Sequence, residues 1–196
     1  MSGARYPNML VQGPAGADAA VAPPAGLRPH APVFLIGMMG AGKTTVGRLL
    51  ANALHYEFLD ADAELERRAG VRIVTMFELE GEEGFRERES HLLAELSGLP
   101  GIVLATGGGV VLRPQNREWL RTRGLVIFLD VAAAEIVRRT QHDQSRPLLE
   151  ERLPLYRATA HLRFRSPARN PRRLVGSMLE HPALAALART PLTPLP

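Results

Sequence analysis

The stretch Gly37-Met38-Met39-Gly40-Ala41-Gly42-Lys43-Thr44-Thr45 limits the possible folds of this chain more than any other feature. It fits the pattern G-x-x-x-x-G-K-S/T and directly follows an apolar run at residues 33–36. A strand that leads through a Gly-rich turn into a helix binds phosphate, because glycines let successive backbone N–H groups converge on its oxygens. Lys43 would add positive charge at the β and γ phosphates, and Thr44 a hydroxyl for Mg²⁺. The residues expected to hold the phosphates are Gly40, Ala41, Gly42, Lys43, Thr44 and Thr45.

Composition is typical of one soluble globular domain. The chain has 196 residues, of which 45 % are hydrophobic and 22 % charged. It contains no cysteine, which excludes disulfides and thiolate ligands and predicts a reducing, cytoplasmic location. The six histidines show no metal-ligand spacing. No apolar run approaches the roughly 18 residues of a membrane span, and no secretory signal is visible, so we expect no membrane association.

The net charge of +4 and the pI of about 10.3 raise the question of nucleic-acid binding. The arginines are dispersed, however, and no basic run is interleaved with aromatic residues. The excess charge therefore favours a basic cleft for a small polyanionic molecule rather than a nucleic-acid surface.

Short apolar runs alternate with helical patterns between two biased ends. We expect residues 1–30, rich in Ala, Gly and Pro, to be disordered, residues 31–181 to form the domain, and residues 182–196 to form a tail with a short helix. Nearly continuous apolar runs suit parallel strands buried on both faces. The predicted fold is an α/β doubly wound parallel sheet of five strands with helices on both faces and a short lid. The predicted strands are 33–36, 56–59, 102–105, 125–129 and, at an edge, 162–165. The predicted helices are 43–54, 62–69, 73–80, 83–96, 115–123, 132–139, 154–160 and 171–179.

Polar residues follow two of these strands. Asp60 and Asp62 leave the second strand beside the phosphate loop, where one could serve Mg²⁺ and the other a substrate hydroxyl. A helix N-cap is an equally good interpretation of this pair. The glycines at residues 107–109 follow the third strand and allow a ligand to approach the backbone closely.

Two charged segments complete the predicted cleft. Arg86 and Glu89 are spaced i, i+3, so that Glu89 can hold the Arg86 guanidinium, although a solvated charged face is the common alternative. Residues 141–151, with Arg146, are interpreted as a lid that closes over the nucleotide. Pro154 suits the first turn of a helix.

In this order the motifs resemble those of shikimate kinase over about residues 31–180. They are the phosphate loop, Phe58-x-Asp60-x-Asp62, Gly84-Phe85-Arg86-x-x-Glu89, the three glycines, Arg146-Pro147-Leu148-Leu149 and Arg152-x-Pro154-Leu155-Tyr156. The resemblance implies ATP-dependent phosphorylation of the 3-hydroxyl of shikimate, on the route to chorismate and the aromatic amino acids. It implies ATP as co-substrate, Mg²⁺ as cofactor and a monomer that binds no nucleic acid.

The resemblance also implies a role for each matching residue. Shikimate would be bound by Asp62, Arg86, Gly108 and Arg152, with Asp62 aligning the attacking hydroxyl. Lys43 and Arg146 would join Asp62 as catalytic residues, and Arg146 would also bind nucleotide from the lid. Arg139 and Arg169 would flank adenine, and Thr44 and Asp60 would hold the metal ion.

One departure from the family pattern has consequences for the lid. The family usually places a helix between the Arg146 and Arg152 motifs, but here only Glu150 and Glu151 separate Leu149 from Arg152. The short tether is expected to restrict lid opening. Two alternatives remain open: another small-molecule kinase of this fold, such as a gluconate or nucleotide kinase, and a nucleotide-binding module with reduced turnover.

Overall fold

A computed structural model describes residues 17–18, 27–132, 135–136, 138, 145–165 and 170–188. Its centre is a sheet of six strands: β1 (Ala17–Asp18), β2 (Val33–Ile36), β3 (Glu57–Asp60), β4 (Ile102–Ala105), β5 (Leu125–Asp130) and β6 (Leu162–Arg165). The strand order is β1-β6-β5-β2-β4-β3. Strands β2 to β6 are parallel, which confirms the predicted five-stranded parallel sheet.

Two packed layers of helices cover the sheet. They are α1 (Lys43–Leu54), α2 (Ala61–Ala69), α3 (Ile73–Leu96), α4 (Pro114–Arg123), α5 (Ser145–Thr159), α6 (Pro171–Leu179) and α7 (Pro182–Ala188), with a short 3₁₀ helix at Val110–Leu112. Helices α1, α6 and α7 contact one another on one face, whereas α3, α4 and α5 pack on the other. Strands β2 and β4 are buried along their whole length, as expected for strands covered on both faces. No described helix has the length and apolar character needed to cross a membrane.

Most predicted boundaries fall within one residue of the observed ones. The predicted helices 73–80 and 83–96 form the single helix α3, which is interrupted at Gly81 with φ 68° and ψ −176°. That backbone geometry is nearly restricted to glycine, so a kink divides the helix where the sequence predicted a gap. Of the predicted helix 132–139, the structure describes residues 132, 135, 136 and 138, and the last three are helical.

Helix α5 contradicts the predicted local structure. The described part of the predicted lid, residues 145–151, is helical and continues without a break through Arg152 to Thr159. Pro154 consequently lies inside the helix and not in its first turn. Pro154 itself is exposed, and it removes the single backbone N–H bond to residue 150 without ending the helix.

Part of the segment predicted to be disordered is ordered. Residues 17–18 form β1, which pairs antiparallel with β6, so that Ala17 is opposite Phe164 and Asp18 is opposite Arg163. Strand β6 therefore has neighbours on both sides and is not the edge of the sheet. The short helix predicted in the C-terminal tail is present as α7.

Candidate active site

The phosphate loop connects β2 to α1 at the carboxyl end of the sheet. Gly37, Gly40 and Gly42 have positive φ values of 141°, 77° and 90°, so these three positions require glycine. The Ala41 N–H donates to the Met38 carbonyl at 3.1 Å, which closes the turn. Helix α1 begins directly after Gly42 and directs its positive dipole end at the loop.

Lys43 folds back across this loop. Its Nζ donates to the carbonyl oxygens of Gly37 at 2.8 Å and Met38 at 2.9 Å. Burial lowers the pKa of Lys43 to about 8, while the nearby carboxylates of Asp62 and Asp60 act in the opposite direction. The ammonium group is thus held over the loop, next to the positions that a bound phosphate would take.

Asp60 is the N-cap of α2 and also bonds to the phosphate loop. Its Oδ1 accepts from the backbone N–H groups of Asp62 at 3.2 Å and Ala63 at 3.3 Å, which makes it the N-cap of α2. Its Oδ2 accepts from Thr44 Oγ1 at 2.8 Å. The cap and the link to the phosphate loop use different oxygens of one carboxylate, so the two interpretations do not compete.

Asp62 follows on the first turn of α2 and is directed towards the glycines. A Cβ placed at Gly107 would lie 2.9 Å from Asp62 Oδ1 and 2.5 Å from Glu89 Oε1. Burial raises the pKa of Asp62, and the nearby Lys43 opposes the rise. The pKa of Glu89 is also raised by burial, against the influence of Arg86. The two carboxylates therefore face the same glycine from different helices.

Arg86 lies on α3 between acidic partners. Its Nη1 donates to Glu89 Oε2 at 2.9 Å and its Nη2 to Glu82 Oε1 at 3.2 Å. A Cβ at Gly109 would collide with the Arg86 guanidinium. The Arg86–Glu89 pair is buried, so the alternative of a solvated charged face does not hold for these two residues.

Arg152 reaches the same glycines from α5. A Cβ at Gly108 would be 3.8 Å from Arg152 Nη1. The Nε of Arg152, the Nε of Arg86 and the Oε1 of Glu89 are buried without a hydrogen-bond partner among the described residues. Unpaired buried donors and acceptors are costly, and their concentration at one place indicates a surface shaped for a polar ligand.

The side chains of three predicted site residues lie outside the described part of the structure. Arg139 and Arg169 lie outside the described residues. The backbone of Arg146 is in the first turn of α5, and its side chain also lies outside the described part of the chain.

Tyr156 is a site residue whose contact the sequence did not predict. It belongs to the Arg152-x-Pro154-Leu155-Tyr156 motif, and its hydroxyl donates to the Gly108 carbonyl at 2.5 Å. A tyrosine one helical turn after Arg152 was the available signal. Its buried partner is a backbone atom 48 residues away, which no local pattern shows.

A separate cavity of about 290 Å³ lies at the opposite end of the sheet, where Pro32 and Gly124 precede β2 and β5. None of the predicted site residues lines it. Arg123 lines this cavity and donates to the carbonyl of Ala94 and to Ser97 Oγ, both at 2.8 Å. These bonds cap the end of α3. The predicted site residues are therefore grouped away from this cavity, near the carboxyl ends of β2, β3 and β4.

Comparison with known proteins shows the family of this chain. The model of the shikimate kinase family matches residues 39–181. Shikimate kinase of Nitrosospira multiformis is 49 % identical over 161 residues, which cover 76 % of this chain and 83 % of that protein. Shikimate kinase of Methylococcus capsulatus is 56 % identical over 135 residues, or 69 % of this chain and 75 % of that one.

A solved structure agrees with these sequence matches. The shikimate kinase of Acinetobacter baumannii in complex with shikimate has a TM-score of 0.73 and 42 % identity to this chain. The match covers 76 % of this chain and 91 % of that one.

Proposed function

Because the chain belongs to the shikimate kinase family, we propose that it transfers the γ-phosphoryl group of ATP to the 3-hydroxyl of shikimate. The observation that carries the proposal is the convergence of one aspartate and two arginines on three consecutive glycines beside the phosphate loop. Shikimate has one carboxylate and three ring hydroxyls, and these groups match two guanidinium groups and a carboxylate acceptor.

Arg86, Arg152 and the backbone at Gly108 are assigned to bind the carboxylate of shikimate. A planar guanidinium can bind a carboxylate with two parallel hydrogen bonds, which a lysine cannot reproduce. Glu89 and Glu82 hold the Arg86 guanidinium, so little side-chain entropy is lost when the substrate binds.

The assigned role of Asp62 is to align the attacking hydroxyl. The hydroxyl oxygen forms the new bond to the γ-phosphorus, the bond to the β–γ bridging oxygen breaks, and ADP leaves. The hydroxyl proton passes to Asp62, whose raised pKa suits a proton acceptor. Lys43 stabilises the charge that develops on the phosphate oxygens, and Arg146 is proposed to assist from α5.

The residues at the phosphate loop fit Mg²⁺. Thr44 Oγ1 and Asp60 Oδ2 lie 2.8 Å apart and are both oxygen atoms that can coordinate a metal ion. Mg²⁺ prefers oxygen ligands, and it usually takes only one or two from the protein and the others from phosphates and water. Among the described residues no cluster of three or more His, Cys, Asp or Glu could hold a metal ion. The ion would neutralise charge on the β and γ phosphates when it is bound with ATP.

The remaining assignments concern the nucleotide and the working form of the enzyme. We assign Gly40, Ala41, Gly42 and Thr45 to the phosphates, and Arg139 and Arg169 to the adenine. We also propose that the enzyme works as a monomer. A cytoplasmic location is supported by the need for ATP and by the absence of cysteine.

The proposal is tested with purified protein in a coupled assay of ADP release. We expect release that depends on shikimate and Mg²⁺, with little release when gluconate or a nucleoside monophosphate replaces shikimate. Lys43→Met should lower turnover at least hundredfold, about 2.7 kcal/mol of transition-state stabilisation. Arg48→Met, which changes an exposed cation on the same helix, should stay close to wild type. Nucleotide binding without acceptor-dependent release would contradict the proposal and favour a non-catalytic module.

A further inference from the structure

Tyr156 ties α5 to the loop that carries the three glycines, defined here as the glycine loop, residues 107–112. The tyrosine is fully buried, and its ring stacks on Phe128 with centroids 5.2 Å apart and an interplanar angle of 17°. Its hydroxyl donates to the Gly108 carbonyl at 2.5 Å and lies 3.6 Å from Met38 Sδ in the phosphate loop. Stacking fixes the ring, so the hydroxyl is a fixed donor between the two loops that form the cleft.

Every carbonyl of the glycine loop has a donor from the protein. The other five use the Val110 N–H for Gly107, the Leu112 N–H for Gly109, Asn116 Nδ2 for Val110, and Arg117 Nη1 for both Val111 and Leu112. Tyr156 supplies the donor for the sixth carbonyl, that of Gly108. The loop therefore directs its acceptors into the protein and away from the cleft.

This arrangement leaves N–H groups for a ligand. In a trans peptide the C=O and the N–H point in opposite directions, so the bond from Tyr156 to the Gly108 oxygen also sets the direction of the Gly109 N–H. Among the described residues, no acceptor bonds to the N–H of Gly108 or Gly109. Two free N–H groups beside the Arg86 and Arg152 guanidinium groups suit an anion.

Tyr156 also sets the position of Arg152. The two residues are spaced i, i+4 on α5 and therefore lie on one face of the helix. Because the hydroxyl holds that face against Gly108, it sets the distance between the Arg152 guanidinium and the loop. Burial raises the pKa of Tyr156, so the phenol remains a hydrogen-bond donor at physiological pH.

We propose that Tyr156 is a positioning residue for recognition of the acceptor's carboxylate. Its hydroxyl orients the peptide between Gly108 and Gly109 and places Arg152, so that backbone N–H groups and the guanidinium face the same carboxylate. The proposal rests on the proposed function, since it names the device that prepares the shikimate subsite.

The test compares two buried hydroxyls of α5. Tyr156→Phe removes the hydroxyl and keeps the ring. Thr159→Val is the matched control, because Thr159 is buried on the same helix but its hydroxyl bonds to the Leu155 carbonyl at 2.7 Å within the helix. Each variant is assayed with shikimate and with its carboxamide, a neutral analogue of nearly the same shape.

We expect Tyr156→Phe to raise the KM for shikimate about tenfold, with kcat and the KM for ATP changed less than about threefold. The preference for shikimate over the carboxamide should fall by a similar factor. Thr159→Val should leave both the KM and the preference near wild type. Equal losses with the two acceptors would show that the hydroxyl is only structural and would overturn the proposal.

A second variant covers the case in which Tyr156→Phe does not fold. Phe128→Leu keeps the hydroxyl but removes the ring that fixes it, and a selective loss for shikimate over the carboxamide is again expected. An unchanged preference in this folded variant would overturn the proposal. Wild-type enzyme in the same experiment separates the two claims, because failure to phosphorylate shikimate at all would refute the proposed function itself.

Discussion

The carboxylate of Asp60 connects helix α2 to the phosphate loop. The pattern at Asp60 left a helix cap and a metal ligand as equal alternatives, whereas the structure gives each oxygen of the carboxylate its own partner. The roles of Lys43 and Thr44 follow from spacing along the chain, because the turn between strand and helix is local. The contact of Tyr156 with Gly108 joins distant segments, and only the folded chain shows it.

Substitutions at Asp62 and Arg86 should have different kinetic effects if Asp62 binds the hydroxyl of shikimate and Arg86 binds its carboxylate. Asp62→Asn keeps the shape but removes the charge, so kcat should fall at least hundredfold. Arg86→Lys keeps the charge but loses the planar fork, so mainly the KM for shikimate should rise. Steady-state kinetics with both substrates separate the effect on kcat from the effect on KM. The control is Arg88→Lys, because Arg88 is exposed on the same helix. Unchanged shikimate kinetics in both variants, with ATP binding intact, would mean that the acceptor is another molecule.

A side chain at position 109 would not fit, because the Arg86 guanidinium occupies the space beside Gly109. Its φ of −95° is open to any residue, so Gly109→Ala should leave the fold intact and displace the guanidinium. We expect a KM for shikimate about tenfold higher, with the free energy of unfolding changed by less than about 1 kcal/mol. Gly176→Ala is the matched control, because nothing lies near its Cβ position. Because Gly176 is an exposed position inside α6, that change should stabilise the helix by about 0.5–1 kcal/mol without affecting kinetics. An unaltered KM in Gly109→Ala would contradict the packing of Arg86 on this glycine.

At the scale of elements, strand and helix positions could be predicted because apolar runs and the phosphate motif mark them directly. The continuity of α5 could not be predicted. Pro154 is a common first-turn residue, and only tertiary packing decides that the helix begins nine residues earlier. The pairing of β1 with β6 was also hidden, since Ala17–Asp18 has no strand pattern of its own.

Helix α5 connects Arg146 rigidly to Arg152, and a flexible insertion should release that connection. The two Cα atoms are about 9 Å apart along the axis of a continuous helix. A Gly/Ser segment inserted after Glu150 would let residues 145–150 move independently, so that ordering them costs roughly 1–2 kcal/mol per residue. We expect weaker ATP binding and equal or faster turnover, measured by calorimetry and by ADP release.

The control for the insertion is a segment of seven alanines at the same point, which adds about two turns and keeps the helix continuous. It should not reproduce the effect of flexibility. Tighter nucleotide binding together with slower turnover in the Gly/Ser variant would refute the account of α5.

His161 gives the junction of β5 and β6 a dependence on pH. Its Nδ1 accepts the backbone N–H of Val126 at 3.0 Å, which requires that nitrogen to be unprotonated. Burial, with a smaller contribution from Arg121, lowers the pKa of His161 to about 4. The folded state therefore favours neutral His161. The contribution of this histidine to the stability of the folded protein is complete above pH 6.5 and is lost as the pH falls from 6.5 to 4. After allowance for solvent screening we expect a loss of about 1–2 kcal/mol.

Urea unfolding at pH 7.0, 5.5 and 4.5 measures this loss. His161→Asn offers an acceptor that does not titrate, so the variant should lose less stability than wild type over this range. His91→Asn, at an exposed position, should behave as wild type. Parallel pH profiles for wild type and His161→Asn would contradict the assignment.

For the molecule as a whole, the doubly wound sheet explains where the chemistry is found. The chain leaves β2 for β3 on one side and later returns to β5 on the other, so the crevice opens at the carboxyl end of β2, between oppositely directed connections. The phosphate loop, the two aspartates and the three glycines all follow strands that end there. Helix α5 closes the site from the other layer with Arg152 and Tyr156. The order of motifs predicted the crevice, whereas the mutual distances of Asp62, Arg86 and Arg152 depend on packing between helices far apart in sequence.

The most direct measurement of the central claim is identification of the phosphorylated product. Purified enzyme is incubated with ATP, Mg²⁺ and equal amounts of shikimate, gluconate and a nucleoside monophosphate, and the products are analysed by ³¹P NMR and mass spectrometry. The account predicts ADP and a single phosphomonoester, at the 3-hydroxyl of shikimate. Inorganic phosphate alone, or a phosphate on either of the other acceptors, would contradict it.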